Sequence, residues 1–179
     1  FGQRMVEFDV KLSADDLPVL MHDASLDRTT NGSGPLRQLV WAQLVKLDAG
    51  AWHSQAFVGE AIPSLDQVLS YLQARAMLAN VEIKPSPGLE THSGGLIARA
   101  CASLWANQKV DLLLSSFSEP ALHAARIAAP QLPRALLMDR LFPDWLARCK
   151  RLDCVAVDWN ERVVNAALIR DAHAAGLRV

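Results

Sequence analysis

Cysteine is scarce in this chain, and the few cysteines present form no recognisable framework. The 179 residues include three, Cys101, Cys149 and Cys154, with no Cys-x-x-Cys pair among them. An odd number of cysteines argues against a disulfide-stapled fold. We therefore expect the three cysteines to be buried and to pack as small apolar residues, in a protein from a reducing compartment. This favours a cytoplasmic location.

Long apolar runs and an excess of charge of one sign are also absent. A helix that spans a membrane needs about 20 consecutive apolar residues, and no run in this chain approaches that length. The net charge is −1, from 18 basic and 19 acidic residues, and no arginine-rich segment occurs. We therefore expect no membrane span and no nucleic-acid partner, while homo-oligomerisation stays open.

Glycine-rich phosphate loops are missing, because neither G-x-G-x-x-G nor a Walker pattern occurs. What the chain does contain is an alternation of apolar runs and helical patterns, which predicts a parallel sheet. The predicted strands are Met5–Val10, Val19–Met21, Met77–Ile83, Leu112–Ser115, Ala135–Met138 and Cys154–Asp158, and another is expected to begin at Val179. The predicted helices are Gln38–Leu47, Ser64–Ala74, Gly95–Trp105, Ser118–Ala128, Pro143–Arg151 and Asn165–Ala175. The segment between Val10 and Val19 is too short for a crossover helix, so Val19–Met21 is predicted to form a side hairpin or to extend the preceding strand.

Polar residues follow nearly every predicted strand, and this regularity favours a (β/α)₈ barrel over a doubly wound sheet. In such barrels the carboxyl ends of the strands carry the chemistry, whereas a doubly wound sheet concentrates its site at one switch point. A complete barrel typically needs about 250 residues. We therefore expect residues 1–179 to form one barrel domain that lacks its opening and closing strands. Residues 23–63 are expected to form an inserted region of loop and helix.

Three acidic residues at strand ends form a candidate metal site. Glu7 and Asp9 are two residues apart on one predicted strand, as are Glu82 and Lys84 on another, so each pair shares a face of the sheet. Three carboxylates about 5 Å apart would repel each other by roughly 3 kcal/mol per pair at an effective dielectric constant of 20. Mg²⁺ or Ca²⁺ would relieve this repulsion. Taken singly, each acid could instead form a separate salt bridge, and Lys84 could be either a phosphate ligand or an internal counterion.

A histidine and several aromatic residues complete the candidate site. His22 ends an apolar run and is followed by Asp23, which makes His22 a candidate acid or base near neutral pH. Phe117 and Trp159 lie at strand ends, where they could form the wall of a pocket.

In sequence order, seven motifs resemble those of the glycerophosphodiester phosphodiesterases. The motifs are Val6–Val10, Leu20–Asp23, Leu26–Gly34, Leu47–Trp52, Ile62–Leu65, Asn80–Lys84 and Ser115–Phe117. Their spacing is most similar to that of the cytoplasmic bacterial members. Two parts of the family pattern, an opening strand ending in His-Arg-Gly and a late Thr-Val-Asn strand, do not occur in this sequence. We expect a longer protein to supply them.

The resemblance implies a barrel enzyme that hydrolyses glycerophosphodiesters to sn-glycerol 3-phosphate and an alcohol. It assigns Mg²⁺ or Ca²⁺ to Glu7, Asp9 and Glu82, an acid–base role to His22, and a phosphate contact to Lys84. The further candidates for substrate binding are Ser116, Phe117 and Trp159. Two alternatives stay open: a related lyase that acts on lipid head groups, and a degenerate barrel that binds phosphorylated ligands without chemistry.

Overall fold

The strands of the computed structural model, which describes residues 2–106 and 112–179, form one six-stranded sheet. The strands are β1 (Met5–Leu12), β2 (Pro18–Leu20), β3 (Leu78–Ile83), β4 (Leu112–Ser116), β5 (Arg134–Met138) and β6 (Ala156–Trp159). Their order across the sheet is β2-β1-β3-β4-β5-β6. Strand β2 is antiparallel to β1, and every other neighbouring pair is parallel.

Helices follow the parallel strands and cover the sheet. They are α1 (Trp41–Leu44), α2 (Leu65–Gln73), α3 (Glu90–Trp105), α4 (Glu119–Ala128), α5 (Trp145–Arg151) and α6 (Ala166–Ala174). Side chains at the N-caps begin three of them, because Ser64, Ser118 and Asn165 accept hydrogen bonds from backbone N–H groups of the first turn. Among the described residues, no helix combines the length and the apolar character that crossing a bilayer requires.

The parallel strands follow one another in chain order across the sheet, without the switch point of a doubly wound sheet, which agrees with the predicted (β/α) barrel class. Apolar side chains of β1, β3 and β4 pack against α2, α3 and α4 in one buried cluster. A second cluster joins β5 and β6 to α5 and α6. Strands β4 and β5 are buried at nearly every position, hence on both faces, which explains why they have continuous apolar sequences instead of alternating ones. The face of the sheet opposite the helices carries the polar residues Glu7, Asn80 and Ser115 together with apolar residues such as Leu78 and Leu113.

Four local predictions differ from the structure or are sharpened by it. The segment predicted as Val19–Met21 forms the antiparallel hairpin with β1. The predicted helix Gln38–Leu47 is wrong in extent, since only Trp41–Leu44 is α-helical and a 3₁₀ turn precedes it. Helix α3 begins at Glu90 instead of Gly95. In place of the additional strand expected at Val179, the structure shows an isolated parallel bridge between Arg178 and Ala156.

The inserted region has its own small core and its own turn. Leu26, Leu36, Leu44 and Ile62 pack together with residues of β2 and its end. Within the region, the carboxylate of Asp48 accepts hydrogen bonds from three backbone N–H groups, those of Gly50, Ala51 and Gly59. The region is therefore organised largely by contacts within itself and with β2.

Candidate active site

Three carboxylates come together where β1 and β3 lie side by side. Glu7 and Asp9 share one face of β1, and Asp9 is the register partner of Glu82 on β3. One oxygen of each carboxylate lies within 4.8 Å of an oxygen of each of the other two. A set of three carboxylate oxygens suits Mg²⁺ or Ca²⁺. The structure thus brings the three predicted metal ligands together, while ion binding itself stays a prediction.

The carboxylates in this cluster are difficult to ionise together. Burial raises the pKa of Glu82 to about 7, with the charge of Asp9 acting in the same direction against that of Lys84. The pKa of Glu7 is also raised, first by burial and then by the charge of Asp9. Such shifts are expected where like charges share a poorly solvated site. A divalent cation fits the cluster because it would favour the ionised form of all three groups.

Two lysines lie beside the carboxylates. Lys84 Nζ is 3.1 Å from Asp9 Oδ1 and 3.9 Å from Glu82 Oε1. Lys11, which is buried, donates a hydrogen bond from Nζ to the backbone oxygen of Lys84 at 3.1 Å. Burial, followed by the nearby charge of Lys84, lowers the pKa of Lys11. Lys11 was not among the predicted site residues, although its spacing from Glu7 and Asp9 places it on the same face of β1.

His22 lies at the mouth of the site and is held by a carboxylate. Its Nδ1 atom is 2.6 Å from Asp23 Oδ1. Arg28 donates to the same carboxylate from Nε at 2.6 Å and from Nη2 at 3.0 Å. These bonds, those to Arg28 first, hold the pKa of Asp23 well below its usual range. The imidazole is therefore oriented through Nδ1, and Nε2 is the nitrogen left for a reacting group.

The carboxylate cluster opens into a polar cavity of about 440 Å³ at the carboxyl ends of the strands. Its polar lining residues are Glu7, Asp9, His22, Asn80, Glu82, Lys84, Ser115, Asp139, Asp158 and Asn160, and its apolar ones are Phe117, Leu137, Met138 and Trp159. Glu7, Asp9 and His22 also line a second cavity of about 520 Å³, whose other walls include the apolar residues Phe8, Leu20, Met21, Trp52, Ile62 and Pro63. The candidate metal ligands and the histidine thus lie where the two cavities meet.

The three predicted substrate contacts occupy different environments. Phe117 lines the polar cavity and is 55% exposed. Trp159 also lines it, but its ring packs edge-on against Trp145 of α5 at 5.0 Å. Ser116 is fully buried, and its hydroxyl donates to the Ile83 carbonyl at 2.5 Å. The side chain of Ser116 therefore stabilises the neighbouring strand.

Several cavity residues were missed by the sequence reasoning. Ser115 lines the cavity where Ser116 had been selected, and Asn80 and Asp158 line it as well. For Asn80, the signal was available: it precedes Glu82 by two residues on the same predicted strand, and so shares its face.

Known proteins with similar sequences point to one family. All 179 residues match the family model described as the glycerophosphoryl diester phosphodiesterase family. A glycerophosphodiester phosphodiesterase of Caldanaerobacter subterraneus is 34% identical over 140 residues, which make up 76% of this chain and 55% of that protein. The glycerophosphodiester phosphodiesterase of Bacillus subtilis is 28% identical over 144 residues, or 75% of this chain and 49% of that protein. The chain thus spans about half the length of these curated relatives.

Solved structures agree with the sequence comparison. A phosphodiesterase of Oleispira antarctica, determined in complex with the product sn-glycerol-3-phosphate, is 32% identical with a TM-score of 0.90; the match covers 98% of this chain and 71% of that one. A glycerophosphodiester phosphodiesterase of Agrobacterium tumefaciens is 26% identical with a TM-score of 0.76, covering 98% and 72% respectively. With its whole length matched and its barrel architecture shared, the chain belongs to the glycerophosphoryl diester phosphodiesterase family.

Proposed function

We propose that the protein hydrolyses glycerophosphodiesters to sn-glycerol 3-phosphate and an alcohol, with Mg²⁺ or Ca²⁺ as cofactor. The observation that carries this proposal is the convergence of Glu7, Asp9 and Glu82 within 4.8 Å, beside Lys84 and His22. Family membership and the product bound in the Oleispira antarctica relative support the same reaction.

In this mechanism, Glu7, Asp9 and Glu82 would hold the cation. When bound, it would polarise a non-bridging phosphate oxygen and lower the barrier to attack on phosphorus. Lys84 contributes a positive charge next to the same carboxylates, where it can stabilise charge that develops on the phosphoryl oxygens. Phe117 is proposed to contact the substrate at the rim of the polar cavity.

His22 performs the proton transfer in this proposal. The Asp23 carboxylate binds Nδ1, so a proton moves at Nε2, either from the attacking hydroxyl group or to the departing alkoxide. The attacking group is water or a hydroxyl of the substrate's own glycerol. With water as the nucleophile, one P–O bond forms and the P–O bond to the alcohol breaks, which gives sn-glycerol 3-phosphate directly. With the glycerol hydroxyl, the same exchange releases the alcohol and leaves a cyclic phosphate. Water then forms a new P–O bond and breaks one ring P–O bond to give sn-glycerol 3-phosphate.

The decisive experiment measures release of sn-glycerol 3-phosphate from glycerophosphocholine by the protein expressed from its complete reading frame. We expect turnover that chelation by EDTA abolishes and that added Mg²⁺ or Ca²⁺ restores. Glu82→Gln should lower kcat at least about 100-fold, because the variant loses one of three cation ligands. Glu161→Gln removes an exposed carboxylate outside the cavity and serves as the matched control. Metal-independent turnover, or full activity of Glu82→Gln, would contradict the proposal.

The thiols support a proposal about location. Cys101, Cys149 and Cys154 are all free, and unpaired cysteines are typical of reducing compartments. We propose the cytoplasm on this ground. Thiol labelling of the protein isolated from its native cells would test it, since disulfide-linked forms would indicate an oxidising compartment.

A further inference from the structure

Three buried polar atoms of residues that line the polar cavity lack a hydrogen-bond partner. One is Trp159 Nε1 on β6, and the other two, Asn80 Oδ1 and the Ser115 hydroxyl, lie on β3 and β4. Ser115 is fully buried, and both residues line the cavity. A buried polar group without a partner destabilises the folded protein, so such a group indicates that something else supplies the missing hydrogen bond.

The strand register places both groups beside the candidate metal ligands. Asn80 is the register partner of Glu7 and lies two residues before Glu82 on the same face of β3. Ser115 is the register partner of Glu82 on the other side. The two unpaired groups therefore adjoin the carboxylate cluster on the side of β3 and β4. Neither of them lines the second cavity.

The site therefore has two parts, the polar cavity and the second cavity. The polar cavity contains the Asn80 amide and the Ser115 hydroxyl, which can both donate and accept hydrogen bonds. The second cavity has mainly apolar walls around Trp52 and Ile62. A phosphodiester has two ester arms that diverge from phosphorus, and the phosphoryl group would lie at the junction with Glu7, Asp9 and His22.

Resting on the proposed function above, we propose that Asn80 and Ser115 bind the hydroxyl groups of the substrate's glycerol arm. The alcohol arm then extends into the second cavity, against Trp52. A vicinal diol next to the phosphoryl group supplies both the donors and the acceptors that the two unpaired side chains need. The pair would thus act as specificity-determining residues that separate glycerophosphodiesters from diesters without hydroxyl groups.

The test compares two competitive inhibitors that differ only in their hydroxyl groups, sn-glycerol 3-phosphate and propyl phosphate. With wild-type protein we expect the glycerol compound to bind at least about 10-fold more tightly. In Ser115→Ala this preference should fall about 2- to 13-fold, because a hydrogen bond of this type contributes about 0.5–1.5 kcal/mol. Asn80→Ser provides a second, independent variant. Inhibition by propyl phosphate should change less than about twofold in both.

Ser116→Ala is the matched control, since it removes the neighbouring hydroxyl that bonds to Ile83 outside the cavity. It should lower thermal stability and leave the ratio of the two inhibition constants unchanged. An unchanged ratio in both Ser115→Ala and Asn80→Ser, or no preference in wild-type protein, would overturn the inference. Failure of the proposed function has a different signature: wild-type protein would release no sn-glycerol 3-phosphate from glycerophosphocholine.

Discussion

The Nδ1 atom of His22 lies 2.6 Å from Oδ1 of its sequence neighbour Asp23, whose carboxylate is also bound by Arg28. An ionised carboxylate only accepts hydrogen bonds, so the proton of the neutral imidazole is held on Nδ1. This leaves Nε2 unprotonated and ready to accept a proton. The exposed position of His22, with 60% of its side chain accessible, gives a substrate room to reach that nitrogen.

Asp23→Asn should lower kcat about 10- to 100-fold and leave KM within about threefold. The amide can donate to Nδ1 and so stabilise the wrong tautomer, as the corresponding change does in serine proteases. Steady-state kinetics with glycerophosphocholine, together with ¹⁵N NMR of the imidazole, would measure both effects. Asp27→Asn is the control, because Asp27 accepts its hydrogen bond from the Gly34 backbone instead. An unaltered tautomer in Asp23→Asn would refute the orienting role.

Binding of Mg²⁺ or Ca²⁺ should release a proton near pH 6 and almost none at pH 8. The carboxyl of Glu82 has a pKa of about 7, so it is mostly protonated at the lower pH and must lose that proton to become a ligand. Affinity should therefore rise between these two values. Titration calorimetry in two buffers with different heats of ionisation measures the proton count. Equal counts at pH 6 and pH 8 would argue against Glu82 as a ligand.

Without metal, the free energy of unfolding should decrease as the pH rises from about 5 to about 8. The pKa of Glu82 is near 7 in the folded chain against an ordinary 4.5, so the folded state binds more protons across this interval. The contribution of the protonated Glu82 carboxyl to stability is complete below pH 4.5 and is lost as the pH rises through 7. Glu82→Gln should flatten this dependence and raise stability at pH 8 by about 1–3 kcal/mol. Urea unfolding in EDTA at several pH values would measure it; parallel curves for both proteins would contradict the assignment.

Two adjacent glycines of α3 should respond oppositely to alanine. A Cβ at Gly94 would lie 2.1 Å from the backbone oxygen of Ala121, where α3 crosses α4, whereas one at Gly95 would meet only the flexible Arg99 side chain at 3.3 Å. We expect Gly94→Ala to destabilise the protein by about 1–3 kcal/mol through overpacking. Gly95→Ala should stabilise it by about 0.5–1 kcal/mol through helix propensity. Thermal unfolding of the pair provides the comparison, and equal effects would rule out close helix contact at Gly94.

The cysteines should resist alkylation in the folded protein at pH 7. Burial raises the pKa of Cys101 to about 12 and of Cys149 to about 11, and that of the half-buried Cys154 to about 12. Since the thiolate is the reactive form, little is available. Mass spectrometry after iodoacetamide treatment should detect labelling only after unfolding in guanidinium. Rapid labelling of native Cys101 would show that α3 is less tightly packed than described.

Sequence patterns predicted most of the architecture because each strand is apolar enough to identify, and several helices begin at side-chain caps. They could not decide between Ser115 and Ser116. Strand β4 reads Leu-Leu-Leu-Ser-Ser, and an apolar run without alternation gives no indication of which serine faces the cavity. Only the pairing of Ser115 with Glu82 on β3 shows which of the two serines shares a face with the carboxylates. The start of α3 was also predicted wrongly. Gly94 and Gly95 lower helix propensity, and the sequence does not show that Gly94 allows close contact with α4.

The inserted region was predicted least well, because its shape depends on contacts that have no periodic signature. A single carboxylate, that of Asp48, arranges three backbone amides there, and a short stretch of α-helix replaces the ten-residue helix expected. Propensity and hydrophobic period do not report such side-chain bonds to the backbone.

This self-contained organisation has an evolutionary consequence. Arg28, Thr29 and Trp52 face the second cavity from a segment that carries its own apolar cluster, apart from the clusters beneath the parallel strands. Selection can therefore exchange Thr29 and Trp52 with little disturbance to the barrel or to the carboxylate cluster, whereas Arg28 is constrained by its hydrogen bonds to Asp23. Under the proposed function, changes confined to one short stretch of the gene would then be enough to alter the preference among alcohols.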